Sequence, residues 1–180
     1  MSVNDPFARR PGAANFTVTS TIVPEGAALR PGQMSARLPG GKDACPQPSW
    51  SGAPGGTGIF AATVHAPDAP TGFWHRAAAG IPATVAGLPE SAGDDAGSGL
   101  PEGAIRLPDD ARAARLLCTA TPAGHGPHRY FVVAHAPDLE HIGIPAESTP
   151  AHPGFTMSGH ALGRTMPTAT AEPPSREPYT

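Results

Sequence analysis

Charged residues are scarce in this sequence, and neither sign predominates among them. Lysine and arginine together number 12, aspartate and glutamate number 15, and the formal net charge is −3. Proteins that attract nucleic acid or an anionic membrane surface by bulk charge carry a basic run or a strongly positive balance. We therefore predict no nucleic-acid partner and no electrostatic attachment to a membrane.

Cysteines and long hydrophobic runs are equally rare. Cys45 and Cys118 are the only cysteines, and no Cys-x-x-Cys is present. They predict two small buried apolar residues rather than a disulfide scaffold. No stretch reaches the roughly 18 apolar residues of a membrane-spanning helix. The first residues lack the hydrophobic segment of a signal peptide, so we expect a cytoplasmic protein that does not span a membrane.

Glycine and proline are abundant instead, at 22 and 24 residues. They disfavour long helices and favour many short strands joined by turns. Segments rich in β-branched, aromatic or other apolar residues predict strands at 16–23, 29–38, 59–65, 76–79, 104–107, 116–118 and 128–136. Short helices are predicted at 111–115 and 153–164, and an irregular, edge-like segment at 45–50, where two prolines exclude a central strand.

These elements predict an all-β fold, an antiparallel β-sandwich with short helices at its periphery. At 180 residues the chain suits one domain. We predict a sandwich domain over residues 15–165, a flexible N-terminal arm over 1–14 and a flexible C-terminal tail over 166–180, because the tail is rich in proline, threonine and glutamate.

Two stretches concentrate the polar chemistry. The first follows the strand at 59–65, places Asp68 in a stiff turn between Pro67 and Pro70, and continues with Trp74-His75-Arg76. The second, at 122–136, passes from a Gly/Pro turn through His128-Arg129-Tyr130 into a strand of β-branched and aromatic residues. Stiff loops at strand ends commonly present ligand-binding side chains.

Together the two stretches resemble the paired signatures of the phosphatidylethanolamine-binding protein family, in its bacterial Raf-kinase-inhibitor-like branch. The family pattern Asp-Pro-Asp-Ala-Pro, Trp-His and, about fifty residues later, Gly-x-Gly-x-His-Arg-Tyr appears here at 66–70, 74–75 and 124–130. Weaker matches occur at 45–50 and 81–83, and the resemblance spans roughly residues 15–165. It implies two antiparallel Greek-key sheets, no cofactor, and a pocket for a small anion such as phosphate, a carboxylate or a phospholipid head group.

Carried over residue by residue, the resemblance implies a ligand-binding set. Its members are Asp68, Trp74, Arg76, Ala120, Pro122, His128 and Tyr130. His128 can donate a charge-assisted hydrogen bond and Tyr130 a neutral one. The resemblance gives Asp68 the role of orienting a histidine or accepting from an ammonium group.

Two departures from the family pattern make the site more positive. The first acid of the loop is Ala66 here, and Arg76 stands where family members have tryptophan or histidine. Arginine pairs bidentately with phosphate or carboxylate, which favours an anion over a cationic ethanolamine group. Alternatively, Arg76 points to solvent or pairs with Asp68.

We interpret the protein as a non-enzymatic ligand-binding module with an anion pocket, which could act on a partner protein such as a kinase or protease and could form a homodimer. One alternative is a small-molecule enzyme in which Asp68 and His128 perform acid–base chemistry. Another is a protein-interaction module with a degenerate pocket. A metal site at His125 and His128 is disfavoured, because no second firm ligand pair accompanies this spacing.

Overall fold

Eight strands in two sheets make up the fold, in a computed structural model that describes residues 12–20, 26–44, 47–90, 92, 97–112, 118–119, 121–122 and 124–172. The strands are β1 (Thr17–Thr19), β2 (Ser49–Ser51), β3 (Ile59–Ala66), β4 (Phe73–Pro82), β5 (Ile105–Leu107), β6 (His128–Pro137), β7 (Ala161–Thr165) and β8 (Thr168–Ala171). The helical elements are a 3₁₀ turn at Pro31–Gln33, α1 (His152–Thr156) and a 3₁₀ turn at Met157–Gly159. The predicted all-β fold with short helices is confirmed.

The larger sheet has the strand order β5-β4-β3-β6-β7, and every pairing between its strands is antiparallel. β6 uses its free edge twice: its first half pairs with β8, from His128 to Phe131, and its second half with β7, from Ala134 to Pro137. β1 and β2 form the second, two-stranded sheet. The two predicted signature stretches supply β3, β4 and β6, which lie at the centre of the larger sheet.

Hydrophobic clusters cover both faces of the larger sheet, which explains the almost continuous burial of β3. On the face toward the smaller sheet, the rings of Trp50 and Phe60 lie 5.0 Å apart and pack with Ile81. On the opposite face, Ile59 packs with Met157 from the helical segment. None of the helices in the described part of the chain has the length and apolar character needed to cross a bilayer.

The predicted strand at 29–38 is wrong. Pro31 starts a 3₁₀ turn there, because its fixed φ favours a turn over an extended ladder. The segment still packs against the sheet: the amide of Leu29 donates to the carbonyl of Thr170 at 2.7 Å, and that of Ser35 to Thr119 at 2.8 Å.

The C-terminal predictions also need correction. The predicted helix at 153–164 ends at Gly159, and the rest of it is strand β7. β8 lies inside the predicted flexible tail, so the sandwich extends beyond residue 165. β8 forms in this proline-rich stretch because the free edge of β6 supplies backbone hydrogen-bond partners for it. Residues 173–180 lie outside the described residues, as do residues 1–11, most of the predicted helix at 111–115 and the first residues of the predicted strand at 116–118.

Cys118 contradicts the expectation of two unlinked buried thiols. It is disulfide-bonded, and the sequence contains one other cysteine, Cys45, which lies outside the described residues together with the weak motif match at its position. The number of cysteines in a sequence does not reveal whether the chain brings them together. The disulfide could therefore not be predicted from the sequence alone.

Candidate functional site

The turn after β3 is joined to the start of β6 by an ion pair. Asp68 Oδ1 lies 2.6 Å from Arg129 Nη2, and Asp68 Oδ2 accepts from both Nε and the backbone amide of Arg129 at 2.8 Å. These hydrogen bonds are the largest cause of a lowered pKa at Asp68, and the nearby charge of His128 lowers that pKa further. The two motifs that the sequence predicted to meet therefore lie side by side.

The contacts of Asp68 differ from the role that the resemblance implied. Its carboxylate binds Arg129 through both oxygens rather than orienting a histidine. Arg129 was not predicted as part of the site. The family motif His-Arg-Tyr was the only signal in the sequence for its participation.

His128 and Tyr130 are buried at one end of β6. Only 5% of His128 and 2% of Tyr130 is exposed. The hydroxyl of Tyr130 lies 2.6 Å from Thr121 Oγ1, and its ring centroid is 5.3 Å from that of His75. Tyr130 thus belongs to the interior of the fold rather than to an open surface.

An extra residue in β4 separates Trp74 from Arg76. Val64 pairs with Arg76 and the next residue of β3, His65, pairs with Trp74, so His75 is the additional residue of a β-bulge. Because Val64 and His65 point to opposite faces of the sheet, their partners do so too. The structure therefore does not bring Trp74 and Arg76 into one basin.

Trp74 packs against His65 on the face away from Arg76. The two ring centroids lie 4.5 Å apart, and burial lowers the pKa of His65 while the charge of Asp110 opposes this shift. The Trp74 amide donates to Asp110 Oδ2 at 2.8 Å, and the Trp74 carbonyl accepts from the Asp110 amide at 3.1 Å. These contacts fix the position of the half-buried indole.

The last two residues of the predicted ligand-binding set, Ala120 and Pro122, have no place in the site as the structure describes it. Pro122 is exposed, and Ala120 lies outside the described residues. Within the described ranges, no group of three or more His, Cys, Asp or Glu side chains is arranged to hold a metal ion.

A cavity of about 300 Å³ lies between the two sheets and opens partly to solvent. Its apolar walls come from both sheets and from the segments that flank them. Val18, Leu29, Ala62, Val64, Val132 and Ala169 are among the wall residues. Two predicted site residues, Arg76 and Tyr130, also line it.

Arg76 is a buried cation in the wall of this cavity. Burial lowers the pKa of its guanidinium to about 10, so it remains protonated at neutral pH. It donates to the carbonyl of Ala92. Among the described residues no carboxylate forms an ion pair with it. The two alternatives for Arg76, exposure to solvent or a pair with Asp68, are thus both wrong, since Asp68 pairs with Arg129.

Two further polar side chains of the cavity were missed from the sequence. Gln33 Nε2 and Thr119 Oγ1 are buried and have no hydrogen-bond partner within the described part of the chain. Buried polar atoms are normally paired, so each exception indicates a group that an absent molecule could satisfy. No motif marks them, because they come from two segments that converge only in the folded chain.

Comparison with known proteins supports the resemblance. The profile of the phosphatidylethanolamine-binding protein family matches residues 19–172. YbcL of Escherichia coli is 36% identical over 163 residues, which cover 89% of this chain and 86% of YbcL. YbhB of the same organism is 34% identical over 134 residues, covering 72% of this chain and 82% of YbhB.

Solved structures agree with this assignment. The crystal structure of Escherichia coli YbcL, described as a new member of the mammalian family, superposes with a TM-score of 0.83 at 34% identity, covering 88% of this chain and 99% of the other. A homologue from Chlamydia trachomatis, at 20% identity and a TM-score of 0.72 over 89% of this chain and 99% of the other, shares the fold. The chain therefore belongs to the phosphatidylethanolamine-binding protein family.

Proposed function

We propose that the protein binds a small anionic ligand and that Arg76 is the residue that pairs with the anion. One observation carries the proposal: a protonated guanidinium is buried in a cavity wall without a carboxylate partner in the described structure. A buried charge without a counter-charge is costly, so such residues are normally paired or bind a ligand. An anion in the cavity would supply the missing counter-charge.

An anion is favoured over an ammonium head group. Where the family pattern has an aspartate, this chain has Ala66, which is only 1% exposed. Both carboxylate oxygens of Asp68 accept hydrogen bonds from Arg129. Neither position offers a carboxylate to a cation. The same occupation of Asp68 disfavours the acid–base enzyme, because a general base needs an oxygen that can reach the substrate proton.

Calorimetric titration tests the proposal with phosphate, acetate and phosphoethanolamine as ligands. We expect at least one of these anions to bind the parent protein, and Arg76→Met to weaken that binding at least tenfold. Arg37→Met is the matched control, because it makes the same chemical change at an exposed position. Equal affinities of the parent and Arg76→Met for every anion tested would contradict the proposal.

Action on a partner protein and formation of a homodimer remain predictions from the resemblance. Cytoplasmic localisation is also still a prediction, and the disulfide at Cys118 argues against it. Disulfides persist in oxidising compartments and are rare where cellular thiols keep cysteines reduced. We infer that an oxidising compartment suits this chain better.

A further inference from the structure

The cavity combines an apolar wall with one buried positive charge. Its walls are mainly aliphatic: Val18 from the smaller sheet, Val64 and Val132 from the larger sheet, and Leu29 from the segment between β1 and β2. Arg76 lies in the same wall. Ligand pockets are typically built in this way, from apolar walls with a few polar groups that fix orientation.

The polar side chains of the wall can serve an anionic head. The Gln33 amide nitrogen is a donor, and the hydroxyl of Thr119 can donate as well as accept. Both residues are at least nine-tenths buried, and neither atom has a partner within the described residues. Together with the guanidinium they offer an oxyanion several hydrogen-bond donors.

The size of the cavity limits the ligand. Water occupies about 30 Å³ per molecule in the liquid, so 300 Å³ has room for roughly ten non-hydrogen atoms. Inorganic phosphate would leave most of this apolar space unfilled and would bring more negative charge than one guanidinium neutralises. A wholly apolar molecule would fill the space but leave Arg76 without a counter-charge.

We propose that the cavity binds an amphipathic monoanion, namely a medium-chain monocarboxylate whose head pairs with Arg76 and whose chain lies between the two sheets. This inference rests on the proposed anion-binding function and adds the apolar part of the ligand to it. Both requirements, charge and chain length, can be tested separately.

Calorimetric titration of the whole protein tests how affinity depends on the length of the ligand chain. The ligands are straight-chain carboxylates from acetate to dodecanoate, the last used below its micelle-forming concentration. Each methylene that enters the cavity should raise the affinity about fourfold. The rise should stop at roughly ten non-hydrogen atoms, when the cavity is full. Octyl phosphate in a parallel titration shows whether a carboxylate or a phosphate head is preferred.

Octanol tests the charge, because it carries the same chain without the anion. We expect octanoate to bind the parent at least tenfold more tightly than octanol does. In Arg76→Met this preference should disappear, whereas Arg37→Met, at an exposed position, should keep it.

Filling the cavity provides a test that leaves the charge in place. Ala62→Leu and Ala169→Leu project additional carbon atoms from two different strands into the wall. Each should reduce octanoate affinity at least tenfold and acetate affinity much less. Ala146→Leu, at an exposed position, is the control. If a filled variant does not fold, the carboxylate series on the parent still decides the question.

The outcomes separate the two proposals. If affinity is independent of chain length but depends on Arg76, the anion-binding function stands and the amphipathic ligand is refuted. If octanol and octanoate bind equally, the amphipathic monoanion is refuted, and if no anion binds, the anion-binding function itself fails. A steady rise with chain length that requires Arg76 supports both.

Discussion

Asp68 and Arg129 form a two-pronged ion pair between the turn after β3 and the first residues of β6. The two side-chain contacts measure 2.6 and 2.8 Å, and a third hydrogen bond of 2.8 Å reaches the backbone amide of Arg129. Arg129 also lies over the ring of Phe131, 5.6 Å from its centroid. The pair therefore ties the two signature motifs of the sequence together.

Asp68→Asn should destabilise the fold. The substitution removes the charge from three charge-assisted hydrogen bonds, and we expect a loss of about 2 kcal/mol in the free energy of unfolding, measured by urea denaturation at neutral pH. Asp138→Asn is the control, because Asp138 contacts His160 with both side chains 48% exposed. That variant should stay within about 0.5 kcal/mol of the parent. Equal effects of the two substitutions would contradict the structural role of the Asp68 pair.

The contribution of Asp68 should vanish in acid. Its pKa is lower in the folded protein than in the unfolded chain, where an aspartate titrates near about 3.9. The stabilisation is therefore complete above the unfolded pKa and is lost as pH falls through the folded pKa. Urea denaturation at a series of pH values should show the parent and Asp68→Asn converging below about pH 4. A difference that stays constant throughout the acid range would refute this account.

His65 should make the fold less stable under mildly acidic conditions. Burial lowers its pKa in the folded protein, whereas an unfolded histidine titrates near about 6.5. As pH falls through that value, the unfolded chain gains a proton that the folded protein does not, so the free energy of unfolding decreases. The decrease between about pH 7 and 5.5 should be smaller in His65→Gln. Identical slopes for the variant and the parent would show that His65 does not contribute.

The centre of the larger sheet could be predicted from the sequence because its signal is local. The segments 59–65 and 128–136 are rich in β-branched, aromatic and small apolar residues, and both proved to be central strands. The meeting of the turn that holds Asp68 with the first residues of β6 was predicted from two motifs of one family. Where several levels of the sequence agree in this way, prediction is dependable.

The cavity could not be predicted, because non-local pairing creates it. A single extra residue at His75 sends Trp74 and Arg76 to opposite faces, and nothing in the run Trp-His-Arg shows where a bulge will form. β8 forms in a proline-rich stretch because half an edge of β6 is available for pairing. In both cases the tertiary environment outweighs local preference.

The disulfide at Cys118 should contribute to stability. Removing a native disulfide from a small domain typically costs about 2–5 kcal/mol, and we expect a loss in this range for Cys118→Ser or for the reduced parent. Urea denaturation with and without reductant measures it. Protein prepared under oxidising conditions and then unfolded should show no thiol that reacts with an alkylating reagent. Two reactive thiols in that sample would overturn the assignment.

Arg76 should have a functional role that its contribution to stability does not explain. Replacing a buried charge by an apolar side chain of similar length is often neutral or stabilising. The free energy of unfolding of ligand-free Arg76→Met should therefore lie within about 1 kcal/mol of the parent value or above it. Arg76→Ala should be less stable than Arg76→Met, because it also removes the aliphatic stem from the wall. Thermal and urea denaturation of the three proteins, each without added anion, provide the comparison.

A loss of several kcal/mol in Arg76→Met would instead make the guanidinium a structural group that the fold itself requires. A stable variant that no longer binds anions would show that the buried charge serves the ligand.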